Sequence, residues 1–226
     1  MTNSALSTTF LQTLRKHPLL KWILALWGLG LAVLVMGLML WPRSPTLLAQ
    51  GNHLAESRLI EQWQAGELVV LVRHAERCDQ SNNPCLGPPD GITRVGELAS
   101  ANVGKALSLL GLERTDVLTS PTTRTVQTAH SMFSREVTQQ EWLAACGTTL
   151  RDEVVAHKSA RRNLVLVTHS GCISEFEAQN GFRRAMKAAY TSALFVTIKP
   201  DGQLEVLGIL NTEDWPIVLN KQIAKN

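Results

Sequence analysis

"ELVVLVRHAERC", residues 67–78, sets five consecutive apolar residues, Leu68 to Val72, directly against an arginine and a histidine, Arg73-His74. A short, unbroken, β-branched-rich run of this kind is the mark of a strand buried on both faces. Such a strand ends on two adjacent cationic or near-cationic groups when those groups face a ligand. The pattern returns at "NLVLVTH", residues 163–169, a second buried-type strand that ends on His169.

Between and after these two strands the chain alternates. A polar, Gly/Pro-rich loop (77–92) leads to "TRVGELASANVGKALSLLG" (93–111), in which Val95, Leu98, Val103, Ala106, Leu107 and Leu110 repeat at helical spacing. Thr93 suits the N-cap and Gly111 the position just past the end. "TDVLTS" (115–120) reads as a short strand and "PTTRTVQTAHSMF" (121–133) as a helix opened by Pro121 in its first turn. Residues 148–160 have the composition of a further helix. "SALFVTIK" and "QLEVLGIL" are separated by "PDG" (200–202), a hairpin signal. Strands alternating with helices predict an α/β fold, a three-layer sandwich around a mostly parallel sheet. In such sheets ligands bind beyond the carboxyl ends of the strands, where Arg73-His74 and His169 fall.

Upstream, "WILALWGLGLAVLVMGLMLW" (22–41) carries no charge over its whole length. About 20 apolar residues are what a helix needs to cross a hydrocarbon core of roughly 30 Å. A tryptophan at each end suits the two interfaces. The run exceeds the roughly 7–15 residues of a signal-peptide core, and "LLA" at 47–49 is a poor processing site. Arg15, Lys16 and Lys21 precede it, with no acidic residue before them, and only Arg43 follows closely. The positive-inside bias then predicts a single-pass membrane protein with a cytoplasmic N-terminal segment (1–21) and an anchor over 22–41. A linker (42–66), leading into an amphipathic turn or helix near the membrane, and an exported domain (67–226) follow.

The net charge of +3 gives no case for a nucleic-acid partner. Four cysteines, Cys78, Cys85, Cys146 and Cys172, all lie after the apolar run and contain no C-x-x-C pair. An even number in an oxidising compartment favours disulfides over a zinc site.

Arg73, Arg124, His74 and His169 define a chemistry together. Guanidinium forks grip phosphate bidentately and stay charged at any relevant pH. A histidine with one bare nitrogen accepts a phosphoryl group covalently, and a second beside it stabilises the charge in flight. The set needs no metal and no cofactor, and it points to phosphoryl transfer.

"VRHAER", "TSPTTRTVQTA" and "LVTHSG", in that order, resemble the three signature segments of the histidine phosphatase superfamily, the phosphoglycerate-mutase-like fold. "DGITRVGELASANVGKAL" resembles that family's "LT..G..QA...G" helix. The resemblance covers residues 67 to about 210 and implies His74 as the phospho-accepting nucleophile. It further implies Arg73 and Arg124 as phosphate-binding residues and His169 as the second histidine. Ala75 stands where the family usually has glycine, and Gln80 where it often has a phosphate-binding asparagine. No acidic residue matches the family's usual proton donor, which leaves Glu76, next to the nucleophile, as the candidate acid ahead of Asp152 and Glu153.

"RHAERCD…C" behind an N-terminal anchor, followed by "CG" and "TH..C", more closely resembles the bacterial lipopolysaccharide core heptose(II)-phosphate phosphatases. That implies an exported, periplasmic phosphomonoesterase whose partners are a phosphorylated sugar or lipid-linked substrate and the inner membrane, held through residues 22–41. The alternative is a non-catalytic phosphosugar- or phospholipid-binding module of the same fold. On this placement Cys78 and Cys85 flank a loop beside His74, and Cys146 and Cys172 each follow a segment ending near the pocket. The expected pairs are Cys78–Cys85 and Cys146–Cys172, one of three pairings that four cysteines allow.

Overall fold

The computed structural model describes residues 18–41, 43–199 and 201–223. The chain forms two units, one up to residue 42 and one from Arg43 onward. In the first, α1 (Pro18–Leu40) is one helix, and its apolar side chains from Leu19 to Leu40 are largely exposed. At about 1.5 Å per residue it is long enough to cross a membrane. Arg15 and Lys16, on which the predicted orientation partly rests, lie outside the described residues.

The second unit begins earlier than residue 67. The composition of residues 42–66 predicts a linker, yet Leu48, Leu54, Leu59 and Trp63 are all buried in the core. The amphipathic spacing there makes two short helices, α2 (His53–Glu56) and α3 (Leu59–Ala65), which lay one apolar face on the sheet. Thr46 to Leu48 also hydrogen-bond to Ile209, extending the sheet edge.

The sheet has six strands: β1 (Leu68–Arg73), β2 (Thr115–Thr119), β3 (Thr138–Gln139), β4 (Asn163–Thr168), β5 (Ala193–Ile198) and β6 (Leu204–Leu210). Their spatial order is β3-β2-β4-β1-β5-β6. β1, β2, β3 and β4 pair in parallel, while β5 and β6 add an antiparallel hairpin beside β1. Between them run α4 (Arg94–Leu110), α5 (Thr123–Phe133), α6 (Trp142–Ala145), α7 (Leu150–His157) and α8 (Ser170–Gln179), and α9 (Trp215–Ile223) closes the chain.

Every residue of β1 and β4 is buried, because helices cover both faces. Leu68, Val70 and Val72 pack with Trp63, Leu107, Met132 and Trp215 on one side. Val69 and Leu71 pack with Leu143, Leu150, Ile173 and Phe176 on the other. The alternation follows from the two-residue period of a strand. The result is a three-layer α/β/α sandwich.

Two local expectations shift. Val95 and Leu98 are exposed, and α4 instead buries Gly96, Ser100, Val103, Gly104, Ala106, Leu107 and Leu110. Its small residues allow close approach: a Cβ on Gly104 would overlap the Met132 backbone of α5. Pro121 precedes α5 rather than opening it, since Thr122 is the N-cap.

Candidate active site

β1 and β4 run in parallel register with Arg73 opposite Thr168, so their next residues, His74 and His169, emerge side by side at one sheet end. The backbone fixes them there. His74 N–H donates to the Thr168 carbonyl at 2.9 Å, and Arg73 N–H to the Ser192 carbonyl at 3.1 Å. The two imidazole centroids stand 5.5 Å apart at 61°.

His74 is buried, with Nδ1 2.8 Å from the Ala75 carbonyl. A carbonyl only accepts, so Nδ1 carries the proton and Nε2 of the neutral ring is bare. Burial pushes the His74 pKa down to about 3, assisted by the charges of His169, Arg73 and Arg124 and opposed by the Ala75 hydrogen bond. The ring is therefore neutral, with Nε2 bare, throughout the neutral range.

His169 takes the opposite tautomer. Arg124 Nη2 lies 3.3 Å from its Nδ1, and a guanidinium only donates, so Nδ1 is the acceptor. Nε2–H then donates to Ser120 Oγ at 2.9 Å. Burial first, then Arg124 and Arg77, push its pKa down to about 4. Arg124 is carried by the first turn of α5, which is tied to the nucleophile loop through Thr128: its hydroxyl accepts from Ala75 N–H and donates to the Arg124 carbonyl.

Arg73 is buried, donates from Nη1 to the Ala188 carbonyl at 2.7 Å, and stacks 3.8 Å over the Tyr190 ring. Burial lowers the pKa of both Arg73 and Arg124, and the Nε–H of each is buried without a partner among the described residues. Two guanidiniums with donors to spare, beside two neutral imidazoles, make a receptor for a tetrahedral oxyanion.

Glu76, the acid that its position next to the nucleophile suggests, is otherwise engaged. Its carboxylate accepts from Thr93 Oγ1 at 2.6 Å, Asn83 Nδ2 at 2.9 Å and Ser81 Oγ at 3.0 Å. Those bonds, Thr93 and Asn83 foremost, hold its pKa below the usual carboxylate range. A carboxylate so stabilised in its ionised form is a poor proton donor; Glu76 ties the loop to the start of α4 instead. Asp152 and Glu153 sit in α7, on the opposite side of the sheet from α4 and α5. Gln80 is exposed and accepts from the Tyr190 hydroxyl at 3.3 Å.

Four neighbours escape a reading of the sequence. Ser120 and Arg77 stand within quoted motifs, and Arg77 is paired bidentately with Asp79 through Nε and Nη2. Tyr190 is the chain's single tyrosine, 5.7 Å from His74 ring to ring, and no motif marks it. The Ala188 carbonyl has no sequence signal at all.

The structure joins Cys78 to Cys85 and Cys146 to Cys172. The first closes the loop after His74, and the second ties the end of α6 to the start of α8, just behind His169. Among the described residues no three His, Cys, Asp or Glu side chains gather as a metal-ligand set.

The solved structures similar to this chain share its fold. They include the protein histidine phosphatase SixA complexed with tungstate (TM-score 0.54, 16% identity, covering 65% of this chain and 98% of that one). Phosphoserine phosphatase from Entamoeba histolytica in complex with 3-phosphoglyceric acid is comparable (TM-score 0.51, 14% identity, 66% and 98%). No family model matches the chain. Among curated proteins, the lipopolysaccharide core heptose(II)-phosphate phosphatase of Escherichia fergusonii is 36% identical over 110 residues, 47% of this chain and 56% of that protein. The match thus spans little more than half the length of that relative. The protein of the same name from Escherichia coli O139:H28 is 33% identical over 140 residues, 60% of this chain and 68% of that protein. With its six-stranded sandwich, the chain shares the fold of those histidine phosphatase structures and belongs to the family of the bacterial lipopolysaccharide core heptose(II)-phosphate phosphatases.

Proposed function

We propose that this chain is a phosphomonoesterase that works through a phosphohistidine at His74, without a metal. The observation that carries this reading is the bare Nε2 of a neutral, buried His74 flanked by Arg73, Arg124 and His169. In the first step Nε2 attacks phosphorus while the two guanidiniums hold the equatorial oxygens and take up the charge a metal would otherwise neutralise. His169 gives its Nε2–H to a phosphate oxygen in place of Ser120. In the second step water attacks the phosphohistidine and frees inorganic phosphate.

The relatives' name supports a heptose phosphate of the lipopolysaccharide core as the substrate. α1 supports a membrane anchor, and the basic residues before it support a cytoplasmic N-terminus with the sandwich in the periplasm. The two disulfides suit that oxidising compartment.

The test is phosphate release from purified lipopolysaccharide bearing core heptose phosphate, and from an aryl phosphate, by the full chain in detergent with a chelator present. Chelator-resistant release from both supports the reading. Release from the aryl ester alone moves the substrate elsewhere. Tight phosphate binding with no release from either makes the chain a binding module.

A further inference from the structure

Glu76 is held as an ion by three hydrogen bonds, and Asp79 is paired with Arg77. The two carboxylates nearest the nucleophile in sequence are therefore both committed, yet an alkoxide-like leaving group requires a proton. We propose that Tyr190 is a catalytic residue of this site, its hydroxyl protonating the departing ester oxygen. This role presupposes the phosphohistidine reaction proposed above.

The geometry runs from floor to rim. Arg73 and His74 are buried, Gln80 is exposed, and the Tyr190 ring spans the distance between them. One ring face lies 3.8 Å from the Arg73 guanidinium, and the hydroxyl reaches Gln80 Oε1 at 3.3 Å. A phosphoryl group attacked from the floor by His74 must expel its ester oxygen in line, toward the rim. The sugar or other alcohol portion also has to sit there, because the floor is closed by protein. The Tyr190 hydroxyl is thus on the side where the leaving oxygen emerges. Its bond to Gln80 is long for an O–H···O contact and is readily exchanged for a stronger acceptor.

The chemistry balances. As the Nε2–P bond forms and the P–O ester bond breaks, the Tyr190 O–H bond breaks and its proton goes to the leaving oxygen, releasing the free alcohol. The phenolate that remains lies against the Arg73 guanidinium. In the second step a water oxygen bonds to phosphorus as the P–N bond breaks. One water proton returns to the phenolate, restoring Tyr190, and the other leaves with hydrogen phosphate.

A series of aryl phosphates whose leaving phenols range from strongly to weakly acidic tests this with the full chain in detergent. p-Nitrophenolate departs without a proton, whereas phenolate from phenyl phosphate benefits from one. Tyr190→Phe keeps the ring over Arg73, so its affinity for tungstate is expected to match wild type. In kcat/KM, which reports only the step that expels the leaving group, the variant is expected to stay within about threefold on p-nitrophenyl phosphate and to lose roughly a hundredfold on phenyl phosphate, the usual range for a proton donor. An equal loss on both substrates would mean a structural role and overturn the proposal, as would no loss on either. If wild type released no phosphate from any ester, the phosphatase reading itself would fall and Tyr190's role with it.

Discussion

At the scale of single residues, the site depends on two histidines kept neutral by burial. Because the folded pKa values are about 3 for His74 and about 4 for His169, below the ordinary 6.5, His74, the proposed nucleophile, keeps its Nε2 bare until strongly acid pH. The acid limb of kcat/KM on an aryl phosphate is therefore expected near pH 3–4 rather than 6.5, provided the fold persists. A limb centred near 6.5 would contradict the burial assignment. The same shifts bear on stability. Between pH 4 and 6.5 the unfolded chain binds more protons at these histidines than the folded one, so stability rises with pH across that window. The gradient is up to about 1.4 kcal/mol per pH unit for each histidine. Glu76 is assigned to the loop rather than to proton transfer. Glu76→Gln presents an amide donor to three donors, and a thermal melt is expected to show a loss of roughly 1–2 kcal/mol. Leaving-group dependence should stay as in wild type; a selective loss on poor leaving groups would restore Glu76 as the acid.

Among the elements, α4, α5 and the loop after β1 behave as one clamp. A Cβ on Gly96 would stand 3.0 Å from Glu76 N and 3.1 Å from the Ala75 Cβ, so the nucleophile loop lies directly on the start of α4. Thr128 holds the same loop from α5. The Cys146–Cys172 bond spans 26 residues, and chain entropy for a loop of that length gives about 3.5 kcal/mol. Cys146→Ser with Cys172→Ser should lower the melting temperature clearly while leaving His74 and His169 in register, because β1 and β4 hydrogen bonds set that register. Activity lost at temperatures where the double variant remains folded would show that the disulfide positions the site as well. The elements were largely legible: unbroken apolar runs gave β1 and β4, and Thr93 and Gly111 bounded α4 at its observed ends. The exposed side of α4 misleads because Val95 and Leu98 keep helical spacing without being buried, and the true face is made of small residues that hydropathy does not mark.

For the whole molecule, the ordered motifs bring both histidines and both arginines to one end of the sheet, since the parallel strands deliver their carboxyl ends there and α5 starts beside them. What stayed hidden depended on three-dimensional contacts: the engagement of Glu76 by Ser81, Asn83 and Thr93, and the arrival of Tyr190 from 116 positions past His74 in sequence. Residues 43–66 were half legible: their amphipathic spacing marks a turn or helix, but the burial of its apolar face in the core depends on contacts with the sheet. The central claim is that His74 takes the phosphoryl group covalently. Acid is excluded as the quench because phosphohistidine is labile to it, so the full chain is mixed with aryl phosphate, stopped in alkaline denaturant, and its peptides are weighed. A phosphoryl group on the peptide carrying His74, absent from His74→Ala together with all turnover, is the predicted result; turnover persisting in His74→Ala, or the phosphoryl group on another residue, would contradict it.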